Sequence, residues 1–167
     1  ADDPWFTTAL QRAMRGAPWL RAATVSPAPD DVGNGDLALL VDRPDTTFLD
    51  QIVARIGADP IKRLVVISPY WDTRLEGLAR LRTALGAPAT DLIEKSSGSF
   101  PKGELHRFSG LELFDIEGPA NDRFVHAKLI VAHGHSWDHV VSGSMNCTYP
   151  ALMGASTPGG NAEAGVY

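Results

Sequence analysis

Three short segments in the last third of the sequence carry side chains able to work on one phosphate: His126-Ala127-Lys128, Gly143-Ser144-Met145-Asn146 and Asn161-Ala162-Glu163. In an extended strand, residues two apart point to the same face, so His126 and Lys128 stand side by side. An imidazole can attack phosphorus or shuttle a proton. An ammonium beside it holds phosphate oxygens and stabilises charge in the transition state. The Ser144 hydroxyl and the Asn146 amide can donate to further phosphate oxygens. A carboxylate such as Glu163 can fix the tautomer of a histidine by accepting its second N–H. Together these groups suit phosphoryl transfer without a metal or other cofactor.

Bringing them together takes a hairpin. Val125–Ala132 alternates as a strand, Gly134 turns the chain, and Val140–Ser142 returns antiparallel to it. Ser144 and Asn146 then arrive at the end where His126 and Lys128 stand. Upstream, Leu37–Val41 is a short apolar run of the kind a strand buried on both faces shows, and Arg63–Ser68 is rich in β-branched residues. Asp91–Glu94, Leu111–Phe114 and the terminal Ala164–Tyr167 read as further strands. Phe48–Ile56 has helical periodicity, with Asp45 or Thr46 as its cap, and Thr73–Leu85 is an amphipathic helix on whose apolar stripe Arg74 and Arg82 intrude. Residues 5–23 read as an interrupted helix and 26–36 as a Pro/Gly/Asp-rich connector. Strands alternating with helices predict an α/β domain with a mixed sheet.

The spacing of these groups closely resembles the signature of the phospholipase D superfamily, H-x-K-x4-D followed by G-S-x-N and often N-x-E. Here it reads HAKLIVAHGHSWDHVVSGSMN and then NAE. The VVISPYWD segment, Val65–Asp72, also looks like the strand-to-helix junction that lines the site in many bacterial members. The resemblance covers residues 37–167, implying a phospholipase D-like catalytic domain there, after an N-terminal helical segment and linker over 1–36. It implies a mixed sheet flanked by helices on both faces. It implies His126 as nucleophile, giving a phosphohistidine, with Lys128 and Asn146 holding the phosphate. Ser144 would support the pocket and Glu163 would orient His126. Where the signature has Asp, this sequence has His133.

The superfamily mechanism uses two motifs, and this sequence has one. His106 lacks a lysine two residues on. The resemblance therefore implies a homodimer, or a second phospholipase D-like domain, that completes the site. The substrate it implies is a phosphodiester, DNA or RNA for a nuclease of the bacterial type. A phospholipid phosphodiesterase and a catalytically silent dimerisation or interaction module are the alternatives.

Other residues weigh less. Tyr70 and Asp72 follow a strand, where α/β sites often form, and are candidates for binding substrate, although Asp72 could equally cap the next helix. The Ser96–Ser99 stretch is a weak phosphate-binding loop. His133, His135 and His139 gather at a turn with Asp138 as the nearest carboxylate, which suits exposed turn residues better than a metal site. Cys147 reads as a small buried residue, and as the only cysteine it excludes an intrachain disulfide.

The length of 167 residues is enough for one well-buried core, about 70% of the extended-chain surface. The net charge of −5 works against a mainly electrostatic nucleic-acid binder. Basic side chains nevertheless outnumber acidic ones over residues 51–100, where a solvated helix face is the ordinary reading. No apolar run approaches the ~20 residues that span a bilayer, and no signal core opens the sequence. A cytoplasmic protein with no membrane partner is expected. A start at Ala1 reads as a processed chain or an excised domain.

Overall fold

The computed structural model describes residues 38–41, 46–86, 88–94, 100–115, 126–154, 161 and 163–167. The chain divides into two compact units, Ala1–Ala38 and Leu39–Tyr167. The helix and connector expected over 5–36 lie outside the described residues, as does the Ser96–Ser99 stretch.

In the second unit the elements run β1 (Leu39–Val41), α1 (Phe48–Ile56), β2 (Arg63–Ile67), α2 (Glu76–Ala84) and β3 (Ala89–Glu94), then a 3-10 helix (Lys102–Arg107) and β4 (Leu111–Asp115). β5 (Leu129–His133), β6 (Asp138–Gly143), the one-turn α3 (Tyr149–Leu152) and β7 (Ala164–Val166) complete it. All the strands join one seven-stranded sheet in the order β1-β7-β6-β5-β2-β3-β4. β2, β3 and β4 are parallel, whereas β5 lies antiparallel to β2, and β6, β7 and β1 continue antiparallel. The architecture is the expected α/β one with a mixed sheet.

Period-two burial explains the core. Leu64 and Val66 of β2, Leu92 of β3, Ile130 and Ala132 of β5 and Val141 of β6 are buried together with Phe48, Leu49 and Ile52 of α1 and Leu78 and Leu81 of α2. Burying a side chain of this kind stabilises the fold by roughly 1.5–3 kcal/mol.

Several local expectations are corrected. Leu39 is 57% exposed while Leu40 is buried, because β1 is an edge strand and not one covered on both faces. The cap of α1 is Thr47, one residue past the expected Thr46. Asp50 lies three residues beyond Thr47 and closes a capping box, with Asp50 N–H donating to Thr47 Oγ1 at 3.0 Å and Thr47 N–H to Asp50 Oδ2 at 3.2 Å. α2 begins at Glu76 and not Thr73, since Leu75 holds a left-handed φ of 52°. Arg82 sits on the apolar side of α2 and is buried there. One nitrogen of its guanidinium donates to the carbonyls of Pro88 and Ser109, at 3.1 and 2.7 Å, which partly offsets burial of the charge, while its Nε has no partner among the described residues.

The β5–β6 hairpin pairs Leu129 with Ser142 at one end and His133 with Asp138 at the other. Its turn closes over the carboxylate of Asp59. That group accepts N–H bonds from His135 (2.9 Å), Ser136 (3.1 Å) and Trp137 (3.1 Å), and it lies 3.1 Å from His139 Nε2. A Cβ on Gly134 would fall 2.1 Å from Asp59 Oδ2, so only glycine admits the carboxylate this closely. His139 is therefore buried, not turn-exposed as the sequence suggests, and its other nitrogen meets the Tyr167 hydroxyl at 2.5 Å. His133 pairs with Asp138 at 2.8 Å.

Burial raises the Asp59 pKa, but the bonds from His139, Ser136, Trp137 and His135 outweigh it and hold the group below its usual 3.8. A depressed folded-state pKa gives stability that is present above 3.8 and lost as pH falls through the lower folded value. Asp59→Asn is expected to lower the urea midpoint at neutral pH, and the gap between wild type and variant to close as the pH drops below 3.8. A gap that is unchanged in acid would contradict the account.

Candidate active site

The site lies where β5 begins. His126, Ala127 and Lys128 precede the strand and are not within it, because ladder pairing starts at Leu129. The two side chains still converge. Lys128 Nζ stands 3.0 Å from His126 Nε2 and 3.3 Å from Nδ1, so the amine lies against the ring between its two nitrogens. Lys128 is 8% exposed, whereas the imidazole of His126 is open to solvent. Tyr70, 51% exposed, presents its ring edge-on to His126 at a centroid distance of 6.2 Å.

Ser144 and Glu163 form a second pair. The Ser144 hydroxyl donates a short hydrogen bond to Glu163 Oε2 and accepts from Ala164 N–H at 3.0 Å. The Ser144 N–H in turn donates to Ala164 O at 2.8 Å. This close approach of β6 to β7 explains Gly143: a Cβ there would lie 2.2 Å from Ala164 O. The hydroxyl proton points to the carboxylate, so Ser144 serves the pocket by fixing Glu163, itself only 8% exposed. Asn161 is exposed, its N–H donating to Pro150 O at 3.2 Å.

Lys128 and Glu163 sense each other. Burial lowers the Lys128 pKa below its usual 10.5, and the Glu163 carboxylate opposes that shift. A buried ammonium so balanced keeps its charge while shedding much of its water, which strengthens its hold on an anion.

Asn146 is half-buried, and its Oδ1 has no hydrogen-bond partner among the described residues. A buried amide oxygen left unpaired costs about 1–3 kcal/mol, and only a group that donates a hydrogen bond can complete it. The backbone next to it is pinned: Cys147 N–H donates to Ser68 Oγ at 3.0 Å, and Ser68 Oγ–H to Tyr70 O at 2.7 Å. Ser68 thus ties the loop after β6 to the end of β2. Nothing in its sequence context signals that task, because its partner is 79 positions away.

Asp72 has both oxygens engaged by backbone. It accepts from Gly77 N–H at 2.7 Å and from Tyr149 N–H at 2.8 Å, bracing the starts of α2 and α3 together. The N-cap position of α2 is Leu75, so Asp72 braces the first turn from outside the helix and is not its cap. Cys147 is buried, and burial pushes its thiol pKa far up, so it stays a neutral filler. No group of three or more His, Cys, Asp or Glu able to hold a metal occurs among the described residues. Among those residues no helix is long and apolar enough to cross a membrane.

No protein-family model matches the sequence, and no curated protein does. Solved structures do match. NucT from Helicobacter pylori aligns over 78% of this chain and 83% of its own, at 14% identity and a TM-score of 0.51. A phospholipase D family member, Nuc from Salmonella typhimurium, aligns over 78% and 82%, at 16% identity and a TM-score of 0.48. The fold is phospholipase D-like. Yeast tyrosyl-DNA phosphodiesterase aligns over 78% of this chain at 14% identity and a TM-score of 0.49. The chain spans only 31% of that protein's length. The likeness to NucT is one of fold; the site is built from this chain's own residues.

Two measurements check the electrostatics. Lys128 is expected to titrate below 10.5 by NMR of labelled lysine, and Glu163→Gln to lower its pKa further by removing the opposing charge. A Lys128 titration unmoved by Glu163→Gln would separate the two groups. Gly143→Ala is expected to cost about 1–3 kcal/mol in denaturant melts by overpacking the β6–β7 contact.

Proposed function

We propose that residues 37–167 form a phosphodiesterase domain that cuts a phosphodiester of DNA or RNA through a phosphohistidine, without a metal. The observation that carries the reading is the Lys128 Nζ–His126 Nε2 contact of 3.0 Å on a phospholipase D-like fold. The ammonium, a donor only, is thereby held against the imidazole that would attack phosphorus. An arriving phosphate offers Lys128 stronger, charged acceptors and draws it off the ring. Substrate binding would then place the neutralised phosphate beside the attacking nitrogen.

A His126 nitrogen forms a bond to phosphorus as the bond to the leaving oxygen breaks. A second imidazolium gives that oxygen its proton. Water next attacks phosphorus, the P–N bond breaks, and the water's proton goes to the second imidazole, restoring both histidines. Lys128 and the Asn146 amide hold the non-bridging oxygens throughout. Ser144 and Glu163 hold the pocket in shape, and Glu163 keeps charge balance beside Lys128. Tyr70 lies where substrate meets solvent.

The second imidazole comes in this reading from another copy of the chain or from a further phospholipase D-like domain. His106, the other histidine outside the hairpin, has its Nδ1 2.5 Å from Gly103 O on the 3-10 helix and has no lysine two residues on. A homodimer with both motifs at a two-fold axis meets the need.

The test is cleavage of labelled single-stranded DNA and RNA in EDTA. His126→Ala is expected to lower the rate by about 1,000-fold or more. Specific activity should rise with protein concentration as dimers form. Dependence on a divalent metal, or activity that survives His126→Ala, would overturn the mechanism. Hydrolysis of phosphatidylcholine with nucleic acid left intact would overturn the substrate.

A further inference from the structure

The loop that carries Asn146 is fastened to the loop after β2 at two points. Cys147 N–H donates to Ser68 Oγ at 3.0 Å, and Tyr149 N–H donates to Asp72 Oδ2 at 2.8 Å. Between those bonds Trp71 pairs with Cys147 in an isolated parallel bridge. Ser68 is the more telling of the two side chains. Leu64, Val66 and Ser68 follow at two-residue spacing and all three are buried. The first two fill the core with apolar groups. A third apolar group would serve packing better, because a buried hydroxyl costs stability unless it is bonded. Here both capacities of the hydroxyl are used: it accepts from Cys147 and donates to Tyr70 O at 2.7 Å.

Asn146 needs such a hold. Its Oδ1 is buried with no hydrogen-bond partner among the described residues, so no bond at that atom sets the plane of the carboxamide. Its neighbours Met145 and Cys147 are both part of the core. The place of the amide is therefore inherited from the backbone on either side. Before it, Ser144 N–H is fixed on Ala164 O at 2.8 Å. After it, Cys147 N–H is fixed on Ser68. Without the Ser68 hydroxyl that N–H would be buried with no acceptor, and the peptide would turn to find one. A group that meets a reacting phosphate tolerates little displacement: about 1 Å can cost on the order of 100-fold in rate.

We propose that Ser68 is a positioning residue for the Asn146 amide, acting through the Cys147 N–H, with Asp72 as a second clamp through the Tyr149 N–H. This deepens, and rests on, the phosphodiesterase reading, in which the Asn146 amide holds a non-bridging oxygen. The segment after β2 then serves the site by shaping the loop after β6, across 79 positions of sequence.

The experiment is a double-mutant cycle on labelled single-stranded DNA in EDTA. Ser68→Ala is expected to lower kcat about 10-fold or more and to change KM by no more than about 2-fold, because the amide counts most as charge develops on the oxygens. In an Asn146→Ala background the same change should cost no more than about 2-fold, since no amide is left to misplace. Ser68→Thr keeps the hydroxyl and should restore most of the rate. If Ser68→Ala does not fold, Ser68→Cys takes its place: the thiol fills the space but accepts a hydrogen bond only weakly.

NMR gives the same comparison without catalysis. The side-chain NH2 resonances of Asn146, identified by their loss in Asn146→Ala, should shift in Ser68→Ala and return in Ser68→Thr. Equal rate losses in the two backgrounds, or Asn146 resonances unmoved by Ser68→Ala, would overturn the proposal. So would a Ser68→Thr protein as impaired as Ser68→Ala. The phosphodiesterase reading fails separately, through metal dependence or indifference to His126→Ala, and the resonances still decide the role of Ser68 in that case.

Discussion

The register of the β5–β6 hairpin governs the site. His126 and Lys128 enter at one end of it, and Ser144 and Asn146 leave at the same end, so every functional distance inherits the pairing of Leu129 with Ser142. A slip of one residue would move every side chain of the strand to the opposite face. Asp59 prevents that slip from the far end. It ties down three successive amides of the turn and the ring of His139, which no shifted hairpin could offer in the same positions. The phospholipase D signature has an Asp at the end of this strand. Here His133 stands there and pairs with Asp138, while the carboxylate under the turn comes from another segment of the chain.

The second constraint is electrostatic. Lys128 is buried enough to be disfavoured as a cation, and Glu163 is close enough to relieve that. Glu163 is in turn fixed by Ser144, and Ser144 by its two backbone bonds to Ala164. The charge at the site therefore depends on β7 lying against β6, and on a glycine at position 143 that lets it. Local chemistry and sheet packing are the same question here.

Some of this was legible in the sequence because it is local. Phe48–Ile56 shows its helix through apolar spacing, and the His126–Lys128 pair through a two-residue separation. The GSMN segment is legible because a hairpin of ordinary length returns it to the same end. What escaped is non-local or lacks a periodic signal. Asp59 bonds to amides more than 75 residues away, and amides carry no sequence signature. Leu37–Val41 is apolar throughout, so nothing in it tells an edge strand from a central one, and Leu39 proves exposed. His139 reads as an exposed turn residue and Val140 as the start of a strand, yet the histidine is buried and the valine is not, because Asp59 and Tyr167 receive its two nitrogens. Thr73–Leu85 hid the left-handed turn at Leu75, which depends on contacts beyond the helix itself.

The pairing of β1 with β7 has a consequence for how such a unit can be combined with others. Leu39 lies opposite Val166, so the polypeptide enters and leaves the sheet through neighbouring strands at one margin. A module with its entrance and exit side by side can be spliced into a host loop without prising the sheet open. The same adjacency makes the entering strand a clamp on the segment that carries Glu163. Trimming three residues of β1 would therefore reach the charge balance between Lys128 and Glu163 from the far side of β7.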